Sequence, residues 1–198
     1  ASRNAADAQA MIDTADSAHQ EVHNMLLRMR EIAVQAANET LGESDRTALN
    51  AEVTALEKEI KSISDNTTFA GKKINTSTQT VFQVGRASAN TLTVTFKDFD
   101  ASAIGADVGL TTADTARAAL TKIDAAISTI STRRGELGAA SNRLSSVIAN
   151  LDNISVNLAS ARGRIQDTDF AVETSNLARS QIMQQAATAM LAQANASK

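Results

Sequence analysis

Residues 11–36 read MIDTADSAHQEVHNMLLRMREIAVQA, and one apolar thread runs through them at alternating steps of four and three: Met11, Ala15, Ala18, Val22, Met25, Met29, Ile32 and Ala36. A repeat averaging 3.5 residues keeps one seam of a helix turned toward a second helix and winds the pair left-handedly. The spacing predicts a helix over about 4–38, its seam filled by Ala and Met, which allow close backbone approach and adaptable packing. The same rhythm returns at Leu49, Val53, Leu56, Ile60 and Ile63, and places a second helix over about 44–64. Between the two, Glu39-Thr40-Leu41-Gly42-Glu43-Ser44-Asp45 reads as a break. Gly42 is suited to the left-handed conformation that ends a helix, and Ser44 or Asp45 to capping the next one. A helical hairpin is the expectation.

At Asp65 the period changes. Thr67, Thr68, Phe69 and Gly71 lead through a Thr/Ser-rich stretch to Val81-Phe82-Gln83-Val84, and Leu92, Val94 and Phe96 alternate with Thr across Thr91–Lys97. Such alternation is the half-buried strand pattern, so a small antiparallel sheet or hairpin is expected within about 67–100. A loop marked by Gly105 and Gly109 follows, and Thr111 or Thr112 can cap a third helix over about 112–165. That helix carries Ala116, Leu120, Ile123, Ile127, Ile130, Leu137, Leu144, Ile148, Leu151, Leu158 and Ile165 on one register, with Arg134, Ser141, Ser155 and Arg162 at the remaining seam positions. At 1.5 Å per residue it would be ~75 Å long. Gly135, Gly138 and Gly163 each cost about 1 kcal/mol against Ala, so bends are expected near them.

A break is expected at Gln166 to Asp169, where Asp167, Thr168 and Asp169 can cap a final helix. From Phe170 to about Ala194 the chain is rich in Ala, Gln and Ser, and Leu177, Ile182, Met183, Met190 and Leu191 spread over a broad face. Nothing obvious in the sequence is left to cover that face, so this segment should be frayed or borrowed by a neighbour unless a missing N-terminal part supplies its partner. The expected class is mainly α with a small β part. It would be a rod-like antiparallel bundle over 1–165, with a C-terminal helical segment over 166–198.

Composition narrows the function. The chain has 198 residues, a net charge of −3, five Phe, and no Trp, Tyr, Cys or Pro. No basic stripe is available for nucleic acid, and base stacking is disfavoured by so few aromatics. Without Cys there are no disulfides or thiolate metal sites. No run approaches the ~18 apolar residues of a membrane span, and no basic-then-apolar signal peptide opens the chain. The start at Ala1 and the stop at Lys198 inside Ala/Gln-rich sequence read as the ends of an excised portion of a longer protein.

Catalytic chemistry finds little support. His19 and His23 stand at i, i+4 around Glu21, a spacing that can hold zinc, but the order is not that of the metalloprotease motif. They flank the seam, and a solvated helix surface is the expected setting. Asp167 and Asp169 read as helix caps, Asp98 and Asp100 as a turn. Of the basic pairs Arg28/Arg30, Arg133/Arg134 and Arg162/Arg164, two set an Arg in the seam, where it either reaches along its stem to solvent or meets an acid on another chain. No phosphate loop or nucleophile–base pair is present, so no catalytic, metal or cofactor site is assigned.

Four separated stretches carry a family resemblance. Residues 26–38 (LLRMREIAVQAAN) look like the first-helix segment of bacterial flagellins, and Asn66-Thr67-Thr68-Phe69-Ala70-Gly71-Lys72-Lys73 resembles the family's entry into its hairpin. Residues 137–144 (LGAASNRL) resemble its L-G-A-x-x-N-R motif, and 161–170 through 191–195 its C-terminal signature. The resemblance spans about residues 1–75 and 112–195. It implies a core of two N-terminal helices and one long C-terminal helix around a hairpin, packing with other flagellin subunits into the extracellular filament of the bacterial flagellum. It also implies export as an unfolded chain through the flagellar channel without a cleaved signal peptide, and an export chaperone and a cap protein as partners. The family's extreme ends are largely missing, which implies a monomer, and the short segment between hairpin and third helix implies reduced outer domains. Toll-like receptor 5 contacts carried over from the family fall on Arg28, Ile32 and Glu59. The rival readings are a hook–filament junction protein and a chemoreceptor-like signalling coiled coil; the Thr-alternating strand argues against the second.

Overall fold

The computed structural model describes residues 1–166 and 170–196. The elements are α1 (Ser2–Ala36), α2 (Glu43–Asn66), β1 (Thr68–Phe69), β2 (Lys72–Lys73), β3 (Thr78–Gln83), β4 (Thr91–Phe96), α3 (Ala113–Gln166) and α4 (Phe170–Ala196). The class is mainly α with a small β part, as expected. The chain divides into two compact units, Ala1–Leu151 and Asp152–Lys198.

In the first unit α1 buries Ala5, Ala8, Ile12, Ala15, His19, Val22, Leu26, Met29, Ile32, Ala33 and Ala36. This seam differs from the expected one at three of its eight positions. Ala15, Val22, Met29, Ile32 and Ala36 are shared, but Ile12, His19 and Leu26 stand where Met11, Ala18 and Met25 were expected, and those three are only half-buried. Both threads are 4-3 repeats, rotated by about 100° at alternate positions. The bulkier Ile12 and Leu26 make the difference. Burying a large aliphatic side chain is worth about 1.5–3 kcal/mol, and the register that covers both takes His19 inside with them.

The turn after α1 also differs from expectation. Gly42 is extended (φ −74°, ψ 166°) rather than left-handed, and is itself the N-cap of α2. The Asp45 carboxylate reaches back to accept its N–H at 3.4 Å. Arg46 donates to the carbonyls of Ala36 and Asn38, satisfying the end of α1. At α3 the expected cap is present. Thr112 Oγ1 accepts the Thr115 N–H at 3.1 Å while Thr115 Oγ1 accepts that of Thr112 at 2.9 Å, which satisfies two orphan donors reciprocally.

The strands form two separate antiparallel pairs, β1 with β2 and β3 with β4. Ala70 and Gly71, between β1 and β2, both have positive φ, the combination a two-residue primed turn requires. In the second pair Thr78 faces Phe96 and Gln83 faces Thr91. Leu92, Val94 and Phe96 are buried while the alternating Thr91 and Thr93 are exposed. Gly85 lies in the β3–β4 connection, where a Cβ would come within 2.5 Å of the Asn90 side chain.

Two apolar clusters result. One joins Ala5, Ala8 and Ile12 of α1 to Ile74, the β4 residues, and Leu137 and Leu144 of α3. The other joins Val22 to Ala36 of α1, Val53 and Ile60 of α2, and Ala116 to Ile130 of α3. The second cluster also contains Phe99, Ala101, Ile104, Ala106, Val108 and Leu110. The segment after β4, expected to be a plain loop, therefore supplies core. Its backbone is held by side chains in place of a sheet. Glu57 accepts the Val108 N–H at 2.8 Å and Asn50 that of Leu110 at 2.7 Å. The alternation of Ile104, Ala106, Val108 and Leu110 was the signal in the sequence; the small Ala106 in its middle masked it.

α3 is helical without interruption through Gly135, Gly138 and Gly163. Ile123, Ile130, Leu137 and Leu144 are buried, while Ile127, Ile148 and Leu151 are half-buried, as are Leu49 and Leu56 of α2. In the second unit the side chains are exposed: Leu158, Ile165, Leu177, Ile182, Met183, Met190 and Leu191 all face solvent. The expected caps Asp167, Thr168 and Asp169 lie outside the described residues.

Candidate functional site

α1 and α3 are locked antiparallel by polar contacts spread along their length. Gln9 Nε2 donates to Ser141 Oγ at 2.7 Å, Arg134 Nε to Asp16 Oδ1 at 2.8 Å, Arg30 Nε to Asp124 Oδ1 at 2.7 Å, and Arg117 pairs with Glu39. Each step up α1 matches a step down α3. Apolar seams alone tolerate sliding by a heptad, and these pairs are made in one register only. Arg134 is thus answered within the chain by Asp16, not by another chain or by solvent as expected. Its hydrogen bond to Asp16 holds the Arg134 proton more firmly.

The α1–α2 face carries the residues singled out for receptor contact. Arg28 Nε and Nη2 donate to Glu52 Oε1 at 3.0 and 2.7 Å, and Nη1 to Glu31 Oε2 at 3.1 Å. Glu52, then Glu31, raise the affinity of that guanidinium for its proton. Glu59 is exposed and lies two helical turns beyond Glu52, ~10 Å along the same stripe of α2. Ile32 is a correction. Its side chain is 1% exposed and packs in the core cluster that α1 shares with α2, α3 and residues 98–110. Arg28 and Glu59 are on the surface; Ile32 is beneath it.

His19 is the second correction. It is 1% exposed, in the seam and not on a solvated face. Nδ1–H donates to the Ala15 carbonyl at 2.7 Å, so Nε2 carries the bare lone pair, buried without a protein partner. The ring packs on Phe99 with centroids 4.6 Å apart. Burial pushes its pKa below 6.5, opposed by the Ala15 hydrogen bond. His23 is half-buried one turn on. Among the described residues no three His, Asp or Glu side chains gather to hold a metal ion. Asp98 and Asp100 are spent on the chain itself. Asp98 Oδ1 accepts from Ser64 Oγ at 2.7 Å, and Asp100 Oδ1 from the Ala103 N–H at 2.6 Å.

The other notable surface is the C-terminal region. Nothing in α4 is buried, and Phe170 is 82% and Ile165 85% exposed. Exposed apolar side chains this numerous on one segment mark a surface that another molecule covers. No described helix is long and apolar enough to cross a membrane.

Helical seams, a register-setting polar ladder and uncovered apolar helices define a structural subunit. Residues 1–80 match the family model for the bacterial flagellin N-terminal helical region, and residues 120–198 that for the C-terminal helical region. The chain is 42% identical to the flagellin of Halalkalibacterium halodurans over 200 residues, covering 98% of this chain and 74% of that protein. It is 36% identical to Bacillus subtilis flagellin, covering 98% and 76%. The crystal structure of Bacillus cereus flagellin superposes with a TM-score of 0.70 at 33% identity, covering 81% of this chain and 95% of that one. The chain belongs to the bacterial flagellins. It is a structural subunit of the flagellar filament and not an enzyme, and the junction-protein and signalling readings are not favoured.

Proposed function

We propose that subunits join their neighbours in the filament through residues 152–196, while the first unit is the self-sufficient core each subunit brings. The observation that carries this is the contrast in burial: the same apolar residue types are inside the first unit and exposed in the second. An export chaperone and the cap protein at the growing tip are the partners that meet the chain before it is assembled. Passage through the flagellar channel unfolded is favoured by a chain without Cys, which no disulfide can lock. Replacing Leu177 and Ile182 together by Asp, in the subunit of a flagellated cell, should abolish filaments seen by electron microscopy while the subunit is still made. Normal filaments would sink this reading.

A second reading concerns Toll-like receptor 5. Its support is the exposed pair of Arg28 and Glu59 along the α1–α2 face. Ile32 would act from within, holding the Arg28 turn against the core.

A further inference from the structure

Residues 98–110 are unusual in this chain. They carry core side chains on irregular backbone, and they meet the helices partly through one aromatic contact, Phe99 on His19. His19 is fully buried and keeps one ring nitrogen, Nε2, without a partner. The cavity beside the ring is lined by Thr95, Phe96, Lys97, Arg133, Glu136 and Leu137. Its volume is only about 10 Å³, and a single water needs roughly 10–15 Å³. A proton added at Nε2 would therefore find almost no solvent.

We propose that His19 is an acid-sensitive latch: its protonation loosens Phe99 and residues 98–110 from α1, α2 and α3 while the helices themselves persist.

The charges around the ring do not rescue the imidazolium. On α1, Asp16 is already engaged by Arg134 through two hydrogen bonds, and His23 lies one turn on. On α3, Arg133 and Arg134 are cationic and Glu136 is paired with Lys97. Arg133 also donates to the Asp98 carbonyl, so the start of the 98–110 segment is fastened beside the same ring. On balance the neutral ring is favoured in the closed structure, with burial the largest cause. The sign follows. Because the closed state holds its proton less tightly than an open one, stability is complete above about pH 6.5 and falls as pH drops below it. One linked proton limits the opening equilibrium to a rise of at most about tenfold per pH unit.

Hydrogen exchange of the Ala106 and Leu110 amides, corrected for intrinsic rates, tests this on the full chain between pH 7.5 and 5. Protection should fall with pH in the wild type and in His23→Gln, and should not fall in His19→Gln. Glu57, whose carboxyl burial pushes up, binds its proton more tightly in the closed state and so favours closure as pH falls; it does so in all three proteins, and the difference between them reports His19. An equal fall in His19→Gln would overturn the proposal. Should that variant fail to fold, NMR titration of the wild type decides. Phe99 ring resonances should move with a His19 midpoint below 6.5; a His19 titration that leaves Phe99 unmoved overturns the latch.

Discussion

Phe99 and Phe170 are the same residue in opposite circumstances. Phe99 is fully buried between α1, α2 and α3; Phe170 opens α4 with 82% of its surface in water. The helix Phe99 packs against, α1, and the helix Phe170 opens, α4, share a vocabulary of Ala, Leu, Ile and Met. One finds its complement within the first unit, at α2, α3 and residues 98–110. The other presents its apolar residues outward. A seam specifies what a helix needs, and only a partner of matching register supplies it.

The largest expected effect comes from truncating both rings. Phe99→Ala should cost about 3–5 kcal/mol in urea unfolding, as large-to-small core changes do, whereas Phe170→Ala should stay within about 0.5 kcal/mol. Equal losses would mean that residue 170 is covered and that the contrast is false. Next is the register of α1 on α3. Asp16→Ala removes both hydrogen bonds to Arg134, a pair about a third exposed on the Arg134 side chain. Solvent screening holds the loss to about 0.5–1 kcal/mol, and an unmoved unfolding midpoint would show that the apolar clusters set the register unaided. The smallest effect on stability is expected at Arg28→Ala, with no shift of the midpoint, since its partners are themselves surface carboxylates. That variant should nonetheless reduce signalling in a Toll-like receptor 5 reporter assay. A full response would remove Arg28 from the contact.

Much of the fold was legible because its signals are local. The Thr alternation of β4 and the capping hydroxyl of Thr112 each depend on neighbours a few residues away. What escaped was everything decided by the third dimension. His19 read as surface because a polar ring in a 4-3 repeat belongs beside the seam. It is inside because Ile12 and Leu26, seven residues to either side, had to be. Ile32 was carried to the surface by family resemblance, although the 4-3 seam already held it, and the seam reading is the one that stands. Residues 98–110 read as a loop since Ala101 and Ala106 are too small to announce burial and no strand partners them. For Arg134 an acid on another chain was one expected partner. Asp16, 118 residues away in sequence, could be identified only when α1 lay along α3.

By itself the sequence determined that this chain builds helices with one apolar stripe each, a small Thr-rich antiparallel pair, and a flagellin's ordered set of motifs. Period and capping are properties of a few consecutive residues, and motifs are read as strings. The tertiary structure decided which way each stripe turned, which acid met which base, and which apolar residues were satisfied. Those outcomes depend on the summed burial of side chains far apart in the chain, and a rotation of one residue along α1 is enough to exchange an alanine for a histidine in the core.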